Sequence, residues 1–297
     1  MLNFLLVGAA GYIAPRHLKA IRDTGNNLLA VVDPHDSVGI LDSYFRNVSY
    51  FQEFERFDRH VDKLIRNGTK IDYVSICSPN YLHDAHIRFG LRVGANIICE
   101  KPLVIKAENC HVLEEKEREY NTKVNTILQL RLHPAIIALK QKIDHEQSKK
   151  HNVKLTYFTS RGPWYLYSWK GDNVKSGGLA MNIGIHFFDM LMWIFGDCIS
   201  VGVNEKSDTT IAGTMELEKA NVDWQLSIDY DRLPEQCKID DRSTYRSVVV
   251  DGKELEFSDG FADLHTKAYE EIIDDRGFGI KDCYSSIRLV NEIMEIQ

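Results

Sequence analysis

The chain has 297 residues, 44% of them hydrophobic and 27% charged, which suits a soluble globular protein of two domains or one large one. A net charge of −7, with Lys149-Lys150-His151 as the densest basic patch, excludes nucleic acid as an expected partner. The six cysteines make no Cys-x-x-Cys pair and no zinc spacing, so no metal is expected and the chain reads as reduced and cytoplasmic.

The opening Met1-Leu2-Asn3-Phe4-Leu5-Leu6-Val7 is too short and uncharged for a signal peptide. No run approaches the roughly 18 apolar residues that span a bilayer, so no membrane is expected. Asn3 to Val7 is instead a strand that ends at Gly8-Ala9-Ala10-Gly11-Tyr12-Ile13-Ala14, and a helix follows from about Pro15 to Asp23. Glycines at such a turn let the backbone approach a pyrophosphate, and the helix N-terminus offers amide donors. The spacing is Gly-x-x-Gly-x-x-Ala, a departure from the usual Gly-x-Gly-x-x-Gly. A second strand, Leu28 to Val32, ends in Asp33, about 20 residues past the turn. A carboxylate there accepts bonds from the adenosine ribose and repels a 2′-phosphate, which favours NAD over NADP. Gly8, Gly11, Tyr12, Ile13 and Asp33 are therefore candidate cofactor-binding residues.

The alternation continues with a helix over Phe57 to Asn67 and a buried strand over Tyr73 to Cys77 that ends in Ser78-Pro79-Asn80. A helix over Tyr81 to Val93 is closed by Gly94, and the strand Ile97 to Cys99 runs into Glu100-Lys101-Pro102. A charged outer helix covers Asn109 to Tyr120. Strands separated by helices of this length predict an α/β fold: a Rossmann-type, doubly wound parallel sheet forming an NAD-binding domain over 1–122.

Residues 123–297 read as a second, α+β domain for substrate binding and oligomerisation, with a large, open, mainly antiparallel sheet. Val124 to Leu130 is predicted as a strand, and Arg131-Leu132-His133-Pro134 leads into a helix to about Ile143. Further strands are predicted at Val153 to Ser160, Ser200 to Glu205, Thr209 to Leu217, Asn221 to Ile228, Tyr245 to Val250 and Glu254 to Phe257. Asp251-Gly252 is a hairpin turn signal, and helices near Phe261 to Asp274 and Ser285 to Ile296 close the chain. Gly177 to Trp193, with Gly196 as its stop, reads as a helix apolar on nearly all sides and hence buried. Asn182, His186 and Asp189 fall four and three apart on it, in one stripe. Polar groups on a buried helix must find partners, either within the core or from a polar ligand in a cavity. Gly184 on the adjacent turn would let a bulky ligand come close.

Three stretches carry a family likeness: Asp72-Tyr73-Val74-Ser75-Ile76-x-x-Pro79-Asn80-x-x-His83, Glu100-Lys101-Pro102-Leu103, and Gly177-Gly178 with Gly184-x-His186-x-x-Asp189. Through them the chain resembles the Gfo/Idh/MocA family of sugar-type oxidoreductases over essentially its whole length. The resemblance implies that Pro79, Asn80 and His83 line the nicotinamide side of a bound NAD, with His83 alternatively a helix-capping residue. It implies that Glu100 contacts the nicotinamide ribose, that Lys101 faces the reacting carbon beside Pro102, and that His186 is the second catalytic residue. The Lys101–Pro102 bond is either cis or trans.

Asn182 stands where much of the family has aspartate; it can orient a hydroxyl but cannot exchange its proton. With Trp164-Tyr165-x-Tyr167-Ser168-Trp169-Lys170-Gly171-Asp172, this is similar to the branch that oxidises carbon 3 of UDP-N-acetylglucosaminuronate for surface polysaccharides such as the lipopolysaccharide O antigen. The residues expected around such a nucleotide-sugar substrate are Arg131, Tyr165, Ser168, Lys170, Asn182, His186 and Asp189, with Arg161 and Lys175 as further cations. Either His186 or Lys101 takes the hydroxyl proton, and the family implies a homo-oligomer, dimer or tetramer. An inositol-type dehydrogenase and a non-catalytic NAD-binding sensor are the competing expectations.

Overall fold

A computed structural model describes residues 1–146, 149–255 and 263–296. The chain divides into two units: Met1–Val104, Glu108–Gln129 and Ala262–Cys283 form the first, and Ile105–Ala107, Leu130–Phe261 and Tyr284–Gln297 the second.

In the first unit, β1 (Asn3–Val7), α1 (Ala14–Asp23), β2 (Asn27–Val32), β3 (Ser49–Phe51), α2 (Phe54–Arg66), β4 (Tyr73–Ile76), α3 (His83–Arg92), β5 (Asn96–Cys99), α4 (Glu108–Tyr120) and β6 (Val124–Thr126) follow in chain order. The strands make a six-stranded sheet in the order β3-β2-β1-β4-β5-β6, every pair parallel. Helices on its faces explain why the strands are apolar runs without alternation: Phe4 to Val7 and Tyr73 to Ile76 are buried at every position. On α1 the buried residues Ala14, His17, Leu18 and Ile21 fall at helical spacing and form one stripe. Gly94, at φ +75°, ends α3 as expected.

In this unit the sequence expectation needs correction at two places. The predicted strand from Val124 is short and belongs to the first sheet, where Val124 pairs with Ile97 and Thr126 with Cys99. The edge strand β3 was not foreseen, since three residues show no period.

The second unit continues with α5 (Pro134–His145), β7 (His151–Thr159), α6 (Trp164–Tyr167), α7 (Asn173–Ser176), α8 (Ile185–Phe195), β8 (Cys198–Lys206), β9 (Thr210–Leu217), β10 (Ala220–Ser227), α9 (Glu235–Ile239), β11 (Thr244–Val250) and β12 (Lys253–Glu254). The sheet order is β12-β11-β7-β10-β9-β8, and β7–β10 is its one parallel pair among the described residues. On β10, Ala220, Val222, Trp224 and Leu226 are buried while Asn221, Asp223 and Gln225 are exposed, the period of a sheet covered on one face. The cover is α8, whose Phe188 meets the Trp224 ring edge-on at 5.3 Å. Gly184 packs in the same layer: a Cβ there would sit 2.5 Å from Leu226, so it lets the helix close on the sheet rather than admit a ligand. Residues 173–195 are long and apolar enough to cross a membrane by length and composition, but they are largely buried in this unit. Finally, α10 (Leu264–Ile273) returns to the first unit, while α11 (Ile280–Glu295) begins earlier than its sequence suggested. The predicted strand end at Phe257 and helix start at Phe261 lie outside the described residues.

Candidate active site

The first half of the site is the turn between β1 and α1. Gly8 sits at φ +96°, and a Cβ there would lie 2.6 Å from the Ser78 amide nitrogen, so only glycine lets β1 and the end of β4 approach this closely. Ile13 precedes α1 with no side-chain cap; the first-turn amides of Ala14 and Arg16 turn back to the carbonyls of Gly11 and Ile13, and Pro15 has none, so the helix N-terminus offers its dipole to a ligand. Tyr12 beside it is 92% exposed. The Asp33 carboxylate is buried and braces the turn, accepting from the Ala10 amide at 2.9 Å and from the His35 amide at 2.9 Å. Each carboxylate oxygen has a second lone pair, so these bonds leave acceptor capacity for ribose hydroxyls. A helix N-terminus, a glycine turn and this acid fit a dinucleotide.

The second half is the carboxyl end of β4 and β5. The Lys101–Pro102 peptide is cis. His83 is buried between two carbonyls, its Nδ1 2.7 Å from Pro102 O and its Nε2 2.8 Å from Ser78 O. Burial lowers its pKa against the pull of those oxygens, so the neutral ring donates to one of them at a time. His83 thereby fastens the two loops that carry Pro79, Asn80 and Lys101. Burial also lowers the pKa of Lys101, opposed by Glu100 and assisted by Arg16.

Glu100, expected at a ribose, is engaged inside the unit. Its Oε1 accepts from His17 Nε2 at 3.0 Å and from His265 Nε2 at 2.9 Å, and its Oε2 lies 3.3 Å from the Lys101 amide. His17 Nδ1 in turn lies 2.7 Å from the Tyr269 hydroxyl, which lies 2.7 Å from Ser75 Oγ. The sequence reading missed His17, His265 and Tyr269. The available signal was His17 on the apolar stripe of α1, since a buried imidazole requires partners.

In the second unit the polar stripe divides. A π-type turn over Ala180–Gly184 leads into α8, and from 180 to 192 only Asn182 and His186 are not fully buried. Such turns add a residue and re-aim side chains. The Asn182 amide donates to the Tyr165 hydroxyl at 2.7 Å, and burial pushes that phenol up to about 12. Asp189 is buried and takes a two-pronged bond from Arg131, Nε to Oδ2 at 2.9 Å and Nη2 to Oδ1 at 2.7 Å, with Ser286 Oγ at 3.3 Å. This corrects the expectation that both would meet substrate: they form an internal ion pair, 7% and 2% exposed at their side chains. Ser168 closes a local turn, its Oγ donating to Tyr165 O at 2.8 Å. Lys170 Nζ lies over the Trp169 ring at 4.1 Å. Arg161 and Lys175 are exposed.

Two family models match the chain: the NAD-binding Rossmann fold of the Gfo/Idh/MocA oxidoreductases over residues 2–127, and that family's C-terminal alpha/beta domain over residues 148–229. The WlbA (WbpB) dehydrogenase of Thermus thermophilus is 47% identical, with a TM-score of 0.96 over 100% of this chain and 96% of that one. It has been solved with NAD and UDP-GlcNAcA, and with NAD and alpha-ketoglutarate. The WlbA dehydrogenase of Bordetella pertussis shares the fold at 18% identity and a TM-score of 0.80, over 99% of this chain and 94% of that one. Inositol 2-dehydrogenase of Rhizobium meliloti is 30% identical over 199 residues, which cover 66% of this chain and 55% of that enzyme.

Proposed function

Because the chain belongs to the Gfo/Idh/MocA oxidoreductase family, we propose that it oxidises the 3-hydroxyl of UDP-N-acetylglucosaminuronate to the 3-keto sugar. The observation that carries this reading is the 47% identity, across the whole chain, to a dehydrogenase solved with that sugar nucleotide and NAD.

NAD⁺ supplies the hydride acceptor, and Gly8, Gly11, Tyr12, Ile13 and Asp33 hold its pyrophosphate and ribose. Pro79, Asn80 and Pro102 border the nicotinamide. His186 accepts the hydroxyl proton as hydride leaves carbon 3, and Lys101 donates a hydrogen bond to the oxygen as its negative charge grows. The lowered pKa of Lys101 supports a second assignment, with the amine as base. Asn182 and Tyr165 orient the sugar, and Lys170 meets a phosphate or the uronate. Asparagine in place of a carboxylate also spares an anionic substrate one repulsion.

The alpha-ketoglutarate bound to the Thermus thermophilus relative supports a return half-reaction in which a 2-oxo dicarboxylate reoxidises the reduced cofactor in place. The product serves surface-polysaccharide synthesis, and the enzyme works in the cytoplasm as a homo-oligomer without nucleic acid or membrane.

The test is turnover of the purified protein with NAD⁺ and either the sugar nucleotide or myo-inositol. A 3-keto nucleotide sugar supports the reading; activity on inositol alone selects the polyol class. Reduced nicotinamide from neither, across a panel of nucleotide sugars and polyols, selects a sensor.

A further inference from the structure

The carboxylate of Glu100 is sealed in the first unit, yet it stands one residue from Lys101, at the sheet edge where open α/β folds receive their ligands. Three helices and strands converge on it: α1 through His17, α10 through His265, and β4 through Ser75 by way of Tyr269. The proton positions follow from the acceptors. One carboxylate oxygen faces two imidazole nitrogens, so both His17 and His265 carry their proton on Nε2 and donate it. His17 Nδ1 is then an acceptor for the Tyr269 hydroxyl, which accepts from Ser75, and the chain of bonds closes with every proton used once. His265 Nδ1 has no partner among the described residues, which agrees with a neutral ring there. Glu100 Oε2 faces the Lys101 amide.

We propose that Glu100, clasped by His17 and His265, is a positioning residue for Lys101: a buried carboxylate that fixes the strand end and sets the charge balance at the amine and the nicotinamide. This rests on the reading that Lys101 works on a bound dinucleotide. A fixed negative charge keeps the Lys101 ammonium protonated to higher pH and favours the cationic, oxidised nicotinamide over the reduced one. Burial alone would push the Glu100 carboxyl up, but the bonds from His17 and His265 hold it well below the usual carboxylate range. The groups of the first unit that face this charge are Cys77, His83, Cys99, Lys101 and Tyr269, besides the two imidazoles, and Arg16 acts on Lys101 and His265 beside it.

His17, Glu100 and His265 also present three ligand atoms within 4.8 Å of one another, the outline of a metal site. Their 2.9 and 3.0 Å contacts suit hydrogen bonds, and one set of protons satisfies them, so the clasp stands without an ion.

The primary test is on the wild-type protein, by ¹⁵N NMR of its imidazoles and by metal analysis. Both His17 and His265 should show the Nε2–H tautomer, and no metal should copurify. An Nδ1–H tautomer at either ring, or stoichiometric metal, would overturn the proposal. In the second test, Glu100→Gln weakens NAD⁺ binding about tenfold more than NADH binding. It also moves the alkaline limb of kcat/KM down by about one pH unit. His265→Gln, which keeps an N–H donor, retains the limb, while His265→Leu shifts it. An unchanged NAD⁺-to-NADH affinity ratio in Glu100→Gln contradicts the proposal. Full turnover by Lys101→Ala would instead sink the catalytic reading, and leaves the tautomer and affinity measurements to judge the carboxylate.

Discussion

Replacing Asp189 by asparagine should unfold the second unit far more readily than its single-atom change suggests. The carboxylate receives two charge-assisted bonds from Arg131, at 2.7 and 2.9 Å, and a third contact from Ser286 at 3.3 Å. Both partners of the pair are shielded from water, at 7% and 2% side-chain exposure. Charge-assisted bonds contribute about 1.5–3 kcal/mol each, and stranding a buried charge costs about 3–5 kcal/mol in total. Asparagine keeps an oxygen for one guanidinium nitrogen but removes the negative charge that faces it, so a loss of about 3–5 kcal/mol is expected in guanidinium denaturation. That is a large part of a typical domain's stability of about 5–15 kcal/mol. The double variant Arg131→Met with Asp189→Leu removes both charges and should recover at least half of the loss. A stability change in Asp189→Asn below about 1 kcal/mol, or a double variant worse than the single one, would refute the ion-pair assignment.

Three further outcomes follow from the geometry. Gly8→Ala should lose about 1–3 kcal/mol of stability and most NAD affinity in calorimetry, because φ is +96° and the new methyl would lie 2.6 Å from Ser78 N. Tyr165→Phe strips Asn182 of its hydroxyl partner at 2.7 Å, and kcat/KM for the sugar nucleotide should fall about tenfold in initial rates. His86 is packed on Phe54 with its ring centre 5.0 Å away, and burial holds its pKa at about 4 against an ordinary 6.5. Below 6.5 the unfolded chain takes up a proton that the folded ring refuses until about 4, so this site removes about 2 kcal/mol by pH 5. Unfolding of His86→Gln should therefore depend less on pH than wild type between about pH 7 and 5.

Local periodicity made much of this molecule legible in advance. The apolar runs, the glycine turn and Asp33 predicted a parallel nucleotide-binding sheet, and the alternation on β10 predicted a one-sided second sheet. The candidate residues of the first unit gather at the carboxyl ends of its strands, as the strand-turn-helix pattern implies. What stayed hidden depends on pairings between distant residues. Val124 looked like the start of a second domain because nothing local reveals that it pairs with Ile97. The spacing of Asn182, His186 and Asp189 placed them on one stripe, but a π-type turn and Arg131 split them into two half-buried positions and one core ion. Glu100 read as a ligand-facing acid since its partners stand 83 and 165 residues away.

The most direct measurement of the central claim is a crystal structure of the protein with NAD⁺ and UDP-N-acetylglucosaminuronate. The account predicts Lys101 Nζ and a ring nitrogen of His186 both within about 3 Å of the same sugar hydroxyl oxygen, with that carbon facing the nicotinamide. A sugar bound with either nitrogen out of reach of that oxygen would contradict it.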